Sequence, residues 1–339
     1  MTDVQSRLNS EYLVLHEHYQ ETMESMILPT LSGLRRNTRI SGADGKPVSV
    51  DRFDAERSRG TVVIVHGFTE NAFKYSEIIY SLLMNHYSVI AYDQRGHGYS
   101  WRKEGLADPS VTHVERFEEY VEDLDAVCTQ VLSVMPKPWL VFCHSMGGAV
   151  TALYLERQPT VFSRAVMSAP MIAPNLSGIP VSIAKGLCLT ARFFHCGRQR
   201  LMMSRPYSGP EDFETSCATD PDRFAWYDAV KAAHPEYHNC SPTYGWTLEA
   251  IRVTEKILAP GAPEKISCPV LLFTADQDFS VMPAPQKQFI SRVKNGRHLF
   301  VSRSRHEIYR STDDVLFPWW HTVLMFLAES APSEGGSGE

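Results

Sequence analysis

The chain of 339 residues is 43% hydrophobic and 21% charged, with a formal net charge of -6; this is ordinary globular composition with ample material for a core. The negative balance excludes sequence-independent nucleic-acid binding, which needs basic surface to neutralise phosphates, and gives no general attraction to an anionic membrane. No run of about 18 apolar residues occurs, so no spanning helix is expected.

The polar first ten residues do not read as a secretory signal. The seven cysteines are odd in number, scattered and without a CxxC pair, which predicts reduced thiols in a cytoplasmic protein. Tyr12, Leu15, Tyr19, Met23 and Met26 recur at helical spacing and predict an amphipathic helix. Residues 36–55 then read as a hairpin around Asp44-Gly45, a two-residue turn signal. From residue 61 short β-branched runs alternate with helical patterns. Strands are expected at 61–65, 88–92, 139–143, 165–167, 270–274 and 298–302, and a helix where Val114, Phe117, Val121, Leu124, Cys128, Val131 and Met135 step by three and four. Buried strands separated by helices mean βαβ crossovers, hence an α/β fold with a mostly parallel, twisted sheet flanked by helices.

Between 174 and 259 that rhythm breaks. The stretch holds Pro180, Pro206, Pro210, Pro221, Pro235 and Pro242 and no clear strand, and reads as an inserted helical cap. Phe193, Phe194, Phe213, Phe224, Trp226, Tyr227, Tyr244 and Trp246 argue against a disordered linker, which would be poor in aromatics. The expected organisation is a core in two parts, 1–173 and 260–331, with the cap at 174–259 and a disordered tail at 332–339.

The sharpest chemical signal is Cys143-His144-Ser145-Met146-Gly147-Gly148, placed between the apolar strand Trp139-Leu140-Val141-Phe142 and a helix-like run. A strand–Ser–helix turn with small neighbours projects the serine Oγ above the sheet at a helix N-terminus, where N–H groups favour developing negative charge. Ser145 is therefore the candidate nucleophile. Position 143 carries cysteine where such turns usually have glycine; cysteine is still small. A serine needs a base and the base an orienting acid, in the chain order Ser, acid, His. The strand at 270–274 runs into Asp276 and Asp278, and the strand at 298–302 runs into His306. His306 is the candidate base and Asp278 its partner, with Asp276 the competitor, otherwise a solvated loop carboxylate. His66-Gly67-Phe68 follows the strand at 61–65, so the backbone N–H groups of Phe68 and Met146 are the candidate oxyanion donors. His66 and His97, in Gly-flanked turns, read as structural, and His144 as a neighbour of the elbow. His234, His238 and Cys240 could suggest a metal, but Pro235 between the histidines and the lack of a further ligand argue against one. Asp93-Gln94-Arg95-Gly96-His97-Gly98-Tyr99-Ser100 lacks the G-K-[ST] of a P-loop and reads as a structural loop.

Together with Thr69-Glu70, Ser168-Ala169-Pro170-Met171 and Glu307, these motifs resemble the bacterial lysophospholipase and monoacylglycerol lipase group of α/β hydrolases, sometimes grouped with serine aminopeptidases, over most of the chain. Residues 113–121 and Pro242-Thr243-Tyr244-Gly245-Trp246 look closer to the lysophospholipase branch. The resemblance implies ester hydrolysis of single-acyl lipids by Ser145, His306 and Asp278, with no cofactor or metal. The expected partner is a small-molecule or monoacyl lipid substrate, reached through transient membrane contact by a cytoplasmic, peripheral protein. Arg192, Arg198, Arg200 and Arg205 in the cap could meet a phosphate. The alternatives are a monoacylglycerol lipase, a small-ester carboxylesterase, an aminopeptidase with acidic cap groups, and a catalytically silent binding protein of the same fold.

Overall fold

The computed structural model describes residues 7–106, 108 and 110–329; the tail expected to be disordered at 332–339 lies outside them. The chain opens with a helical run: a 3-10 turn at His16–His18, α1 (Tyr19–Thr22), a π turn at Met23–Ile27 and α2 (Leu28–Leu34). It begins later than the apolar spacing predicts. Tyr12 has φ of 60° and Leu15 precedes the first turn. An irregular segment there drives Leu13 and Val14 fully into the core, so burial rather than helical period explains the apolar residues.

Strand β1 (Arg36–Ser41) pairs antiparallel with β2 (Pro47–Phe53). Asp44 and Gly45 both take positive φ between them, and Lys46 N–H donates to the Ala43 carbonyl at 3.1 Å, the tight hairpin turn expected of an Asp-Gly pair. Then follow β3 (Thr61–Val65), α3 (Ser76–Met84), β4 (Ser88–Tyr92), the short β5 (Val111–Thr112), α4 (Glu118–Gln130), β6 (Trp139–His144), α5 (Met146–Arg157) and β7 (Arg164–Ser168). Helix α4 starts four residues after Val114, because the chain just before it is spent on β5. After β7 come α6 (Val181–Phe193), α7 (Pro221–Ala233), the two-residue β8 (Ser241–Pro242) and α8 (Tyr244–Ile257); the chain then returns to β9 (Val270–Ala275), α9 (Pro283–Ile290), β10 (Gly296–Val301) and α10 (Asp313–Ala328).

Eight strands form one sheet in the order β1-β2-β4-β3-β6-β7-β9-β10, parallel from β4 to β10. Alternation along its central strands feeds two cores. Val63, Val65, Val141 and Cys143 face α4, α5 and α8. Val62, Ile64, Leu140 and Phe142 face the N-terminal helical run, α3 and α10. Both faces being covered explains strands that are apolar throughout. The residues from 174 to 259 leave the sheet between β7 and β9, which pair with each other directly, so the register is undisturbed. Helix α8 lays Trp246, Ala250, Val253 and Ile257, spaced for one helical face, against the α5 side; each large side chain so buried contributes about 1.5–3 kcal/mol. Strands β4 and β6 lie on opposite sides of β3, so the strand order reverses there, the place where open α/β sheets take their ligands.

Candidate active site

The last residue of β6 is followed at once by Ser145, whose φ of 50° and ψ of -121° lie in a region that costs of order 1–3 kcal/mol for a residue with a side chain. The close neighbours explain how the turn is held. A Cβ on Gly147 would come within 2.1 Å of the Val65 carbonyl oxygen, and one on Gly148 within 2.3 Å of Pro170. Cys143 is tolerated because its side chain points between strands, Sγ lying 3.4 Å from the Val166 carbonyl; burial pushes its thiol up to about 12, so it stays protonated. Gly148 N–H and Met171 N–H donate to the Ser145 carbonyl at 2.8 Å each. Met146 is the first residue of α5, where an N–H has no acceptor within the helix.

The structure brings Ser145, His306 and Asp278 together. His306 Nε2 stands 2.8 Å from Ser145 Oγ, and its Nδ1 stands 2.7 Å from Asp278 Oδ2. Asp278 Oδ1 accepts the N–H groups of Ser280 at 2.8 Å and Val281 at 3.1 Å. Burial opposes ionisation of Asp278, but His306 and these two amides outweigh it and hold the carboxyl below its ordinary range. Asp276 goes elsewhere: it accepts Arg303 N–H at 2.9 Å and Ser304 N–H at 3.1 Å, fastening the turn after β10.

Gly67 closes the third side. A Cβ there would meet Ser145 Cβ at 2.9 Å and Glu70 Oε2 at 2.8 Å, so only glycine lets the Phe68 loop approach the nucleophile this closely. His66 accepts Gln94 N–H at Nε2, 2.8 Å, and donates from Nδ1 to the Gly67 carbonyl at 2.7 Å. Burial lowers its pKa to about 4, which keeps it neutral in that role. His97 likewise pins backbone, with Nδ1 at 3.0 Å from the Arg95 carbonyl.

A buried charge network behind the triad has no counterpart in the sequence reading. Glu70 accepts Gly67 N–H at 2.5 Å, Tyr75 O–H at 2.6 Å and Lys74 Nζ at 3.2 Å, with Tyr309 O–H a further donor. His144 sits between two acceptors, Glu70 Oε2 at 3.0 Å from Nδ1 and the His306 carbonyl at 3.1 Å from Nε2. Neither partner has a proton to give, so both ring nitrogens donate and the ring is an imidazolium. Burial disfavours that charge, but Glu70 outweighs it and raises the pKa of His144. Glu70 is itself held well below the usual carboxylate range, His144 and Lys74 overcoming the cost of burial. Lys74 continues to Glu307 at 2.6 Å, which also takes Arg310 at 2.6 Å. His144 is thus more than an elbow neighbour: it ties the backbone of His306 to the Gly67 loop through Glu70. The signal was spread over positions 70, 74, 144, 307 and 310, and no local spacing joins them.

Phe68 packs against Trp246 with ring centroids 4.2 Å apart and planes tilted by 39°, and Trp246 with Leu176, Leu187, Met202 and Met203 lines a cleft of about 380 Å³. His238 stacks on Tyr207 and Cys240 Sγ lies near the Arg205 carbonyl; with His234 they form no metal-sized cluster among the described residues. The cluster that does, His16, Asp220 and Asp313, already holds Arg223 on both carboxylates, at 3.1 and 2.8 Å.

A doubly wound sheet carrying Ser, His and Asp within bonding distance at its carboxyl edge defines a serine ester hydrolase of the α/β-hydrolase fold. Residues 56–313 match the family described as serine aminopeptidase, S33, and the chain belongs to that family. It is 30% identical over 317 residues to lysophospholipase L2 of Escherichia coli (strain K12), covering 90% of this chain and 91% of that one. To the monoacylglycerol lipase of Mycolicibacterium smegmatis it is 26% identical, over 84% of this chain and 95% of the relative. Among solved structures, the monoacylglycerol lipase of Paleococcus ferrophilus superimposes with a TM-score of 0.63 at 22% identity, covering 83% of this chain and 98% of that one. A soluble variant of monoglyceride lipase from Saccharomyces cerevisiae, bound to a substrate analog, gives 0.64 at 19%, covering 86% and 95%.

Proposed function

We propose that the chain hydrolyses the ester of monoacyl glycerolipids, lysophospholipids ahead of monoacylglycerols, through an acyl-enzyme on Ser145. The observations that carry the reading are the Ser145–His306–Asp278 relay and an apolar cleft, joined to the Phe68 loop through Trp246, that has no carboxylate among its described lining residues. An aminopeptidase would need an acid there to hold a substrate amine. His306 removes the Ser145 proton, Oγ attacks the ester carbonyl, and the N–H groups of Phe68 and Met146 receive the oxyanion. His306 returns the proton to the leaving alcohol, and water repeats the sequence on the acyl-enzyme. Asp278 stays ionised and orients the ring. The chain of the acyl group lies along Trp246, Leu187, Met202 and Met203.

Among the described residues no helix is long and apolar enough to cross a membrane, and all seven cysteines are free, which fits a reducing, cytoplasmic setting. Phe193, Phe194, Met202 and Met203 stand exposed on the cap around the cleft. We take them as the contact with a lipid surface from which a single-chain substrate is drawn.

Ser145→Ala is the direct test. The folded variant loses turnover of lysophosphatidylethanolamine by on the order of 10³ or more. Retention of a tenth of wild-type turnover would remove Ser145 as nucleophile, and a wild-type preference for p-nitrophenyl butyrate by tenfold would remove the lipid reading.

A further inference from the structure

The two stretches that look most like the lysophospholipase branch, 113–121 and 242–246, meet in space. Strand β5 pairs with β8, Trp246 Nε1 donates to the Tyr120 hydroxyl at 3.2 Å, and His113 Nδ1 lies 2.8 Å from Thr243 Oγ1. Thr243 Oγ1 also accepts Trp246 N–H at 3.0 Å as the N-cap of α8, and the Glu115 carboxylate 3.5 Å from His113 Nε2 favours the tautomer in which the Thr243 hydroxyl donates to Nδ1. That places the imidazole proton on Nε2. His113 is 4% exposed and burial lowers its pKa, so the ring is neutral, and its Nε2–H makes no hydrogen bond among the described residues.

His113 lines a cavity of about 400 Å³ together with Glu115, Arg192, His195 and Arg198. Arg198 and Lys103 hold the Glu115 carboxylate at 2.7 and 3.1 Å, and burial of that carboxylate is outweighed by them, leaving it at about 2. Glu115 Oε1 is 3.5 Å from His113 Nε2 without a hydrogen bond. Arg192 and His195 pair with no acid among the described residues. The cavity lining thus carries two arginines and one carboxylate, and that carboxylate is also held by Lys103. His195 holds φ of 59° just after α6, a position where glycine would be unstrained, yet a histidine occupies it and lines the cavity. A Cβ on Gly245 would come within 2.7 Å of His113, so glycine there leaves room beside the ring.

We propose that this cavity binds a phosphate oxyanion, with Arg192 and Arg198 supplying charge and His113 Nε2–H and His195 supplying further donors. Resting on the monoacyl-lipid reading above, the anion is the head-group phosphate: Tyr244 and Trp246 wall the apolar cleft while Gly245 between them lines this cavity, so the two spaces share one turn of α8. Free phosphate has the same chemistry, and the test separates the two sources.

Hydrolysis of lysophosphatidylethanolamine and of the monoacylglycerol with the same acyl chain is compared in the wild type, Arg192→Gln and His195→Gly. Calorimetric titration with inorganic phosphate is run on all three. The expected result is a fall of about tenfold or more in the ratio of the two kcat/KM values for Arg192→Gln, the loss of one charge-assisted hydrogen bond. His195→Gly lowers the same ratio while its Tm holds or rises, because strain is relieved. An unchanged ratio with phosphate affinity lowered tenfold in both variants supports the site with free phosphate as its ligand. If neither the ratio nor phosphate binding responds, the site is overturned, and monoacylglycerol turnover by the wild type leaves the ester reading standing. Arg192-dependent phosphate binding in a wild type that hydrolyses neither lipid would instead sink the lipid reading alone.

Discussion

Asp276 and Asp278 stand two residues apart on one loop, and their amide partners divide the labour between them. Asp278 takes its own loop's N–H groups with one oxygen and leaves the other for His306. Asp276 spends both oxygens on residues 303 and 304. Asp278→Asn therefore lowers kcat by on the order of 10³–10⁴, since asparagine favours the wrong imidazole tautomer. Asp276→Asn keeps kcat within about tenfold and costs about 1 kcal/mol of stability. Steady-state kinetics and a melting curve on both variants check this, and equal losses of kcat would reverse the assignment. The alternation of strand and loop made Ser145, Asp278 and His306 legible, because parallel sheets put chemistry at strand ends. The Glu70–His144 pair was not legible: nothing near position 70 announces that a residue 74 positions later will face it.

Among the elements, strands were the most readable. A buried parallel strand is β-branched on both faces, and Thr61–Val65 and Ser88–Tyr92 have the expected ends. Helix starts were less so, since the apolar period continues into loop residues, half-buried at Leu15 and buried at Val114. Helix α5 carries an exception to its own pattern. Glu156 is in its last turn, where the helix dipole disfavours an anion, and its Oε1 is buried without a hydrogen bond. Burial pushes its carboxyl up to about 8. A raised acid costs the fold nothing while protonated and a growing amount as pH climbs from about 4.5, its ordinary value, towards 8. Glu156→Gln is expected to gain about 1 kcal/mol at pH 8.5, after allowing for water at its partly exposed edge, or a Tm rise of a few degrees. At pH 5 the two proteins melt together. A gain of the same size at both pH values would mean that the carboxyl is ionised throughout.

For the molecule as a whole, the break in rhythm from 174 to 259 was visible in sequence, but the outward face of that stretch was not, because aromatics and methionines usually mean core. Phe193 and Phe194 are 78% and 66% exposed, and Met202 and Met203 stand out further along the same rim. Burying such side chains in lipid contributes about 2 kcal/mol each. Phe193→Ser with Phe194→Ser is expected to lower co-sedimentation with phosphatidylglycerol vesicles by on the order of tenfold or more; an unaltered bound fraction would exclude this rim as the lipid contact. Arg305, beside the base, donates to the carbonyls of Phe213, Ser216 and Ala218, Glu307 N–H to that of Cys217, and the Arg310 carbonyl receives Thr219 and Asp220. Residues 213–220 are thereby stitched to the loop that carries His306, and lifting them would drag the base off Ser145. Those eight residues can therefore shift only together with that loop.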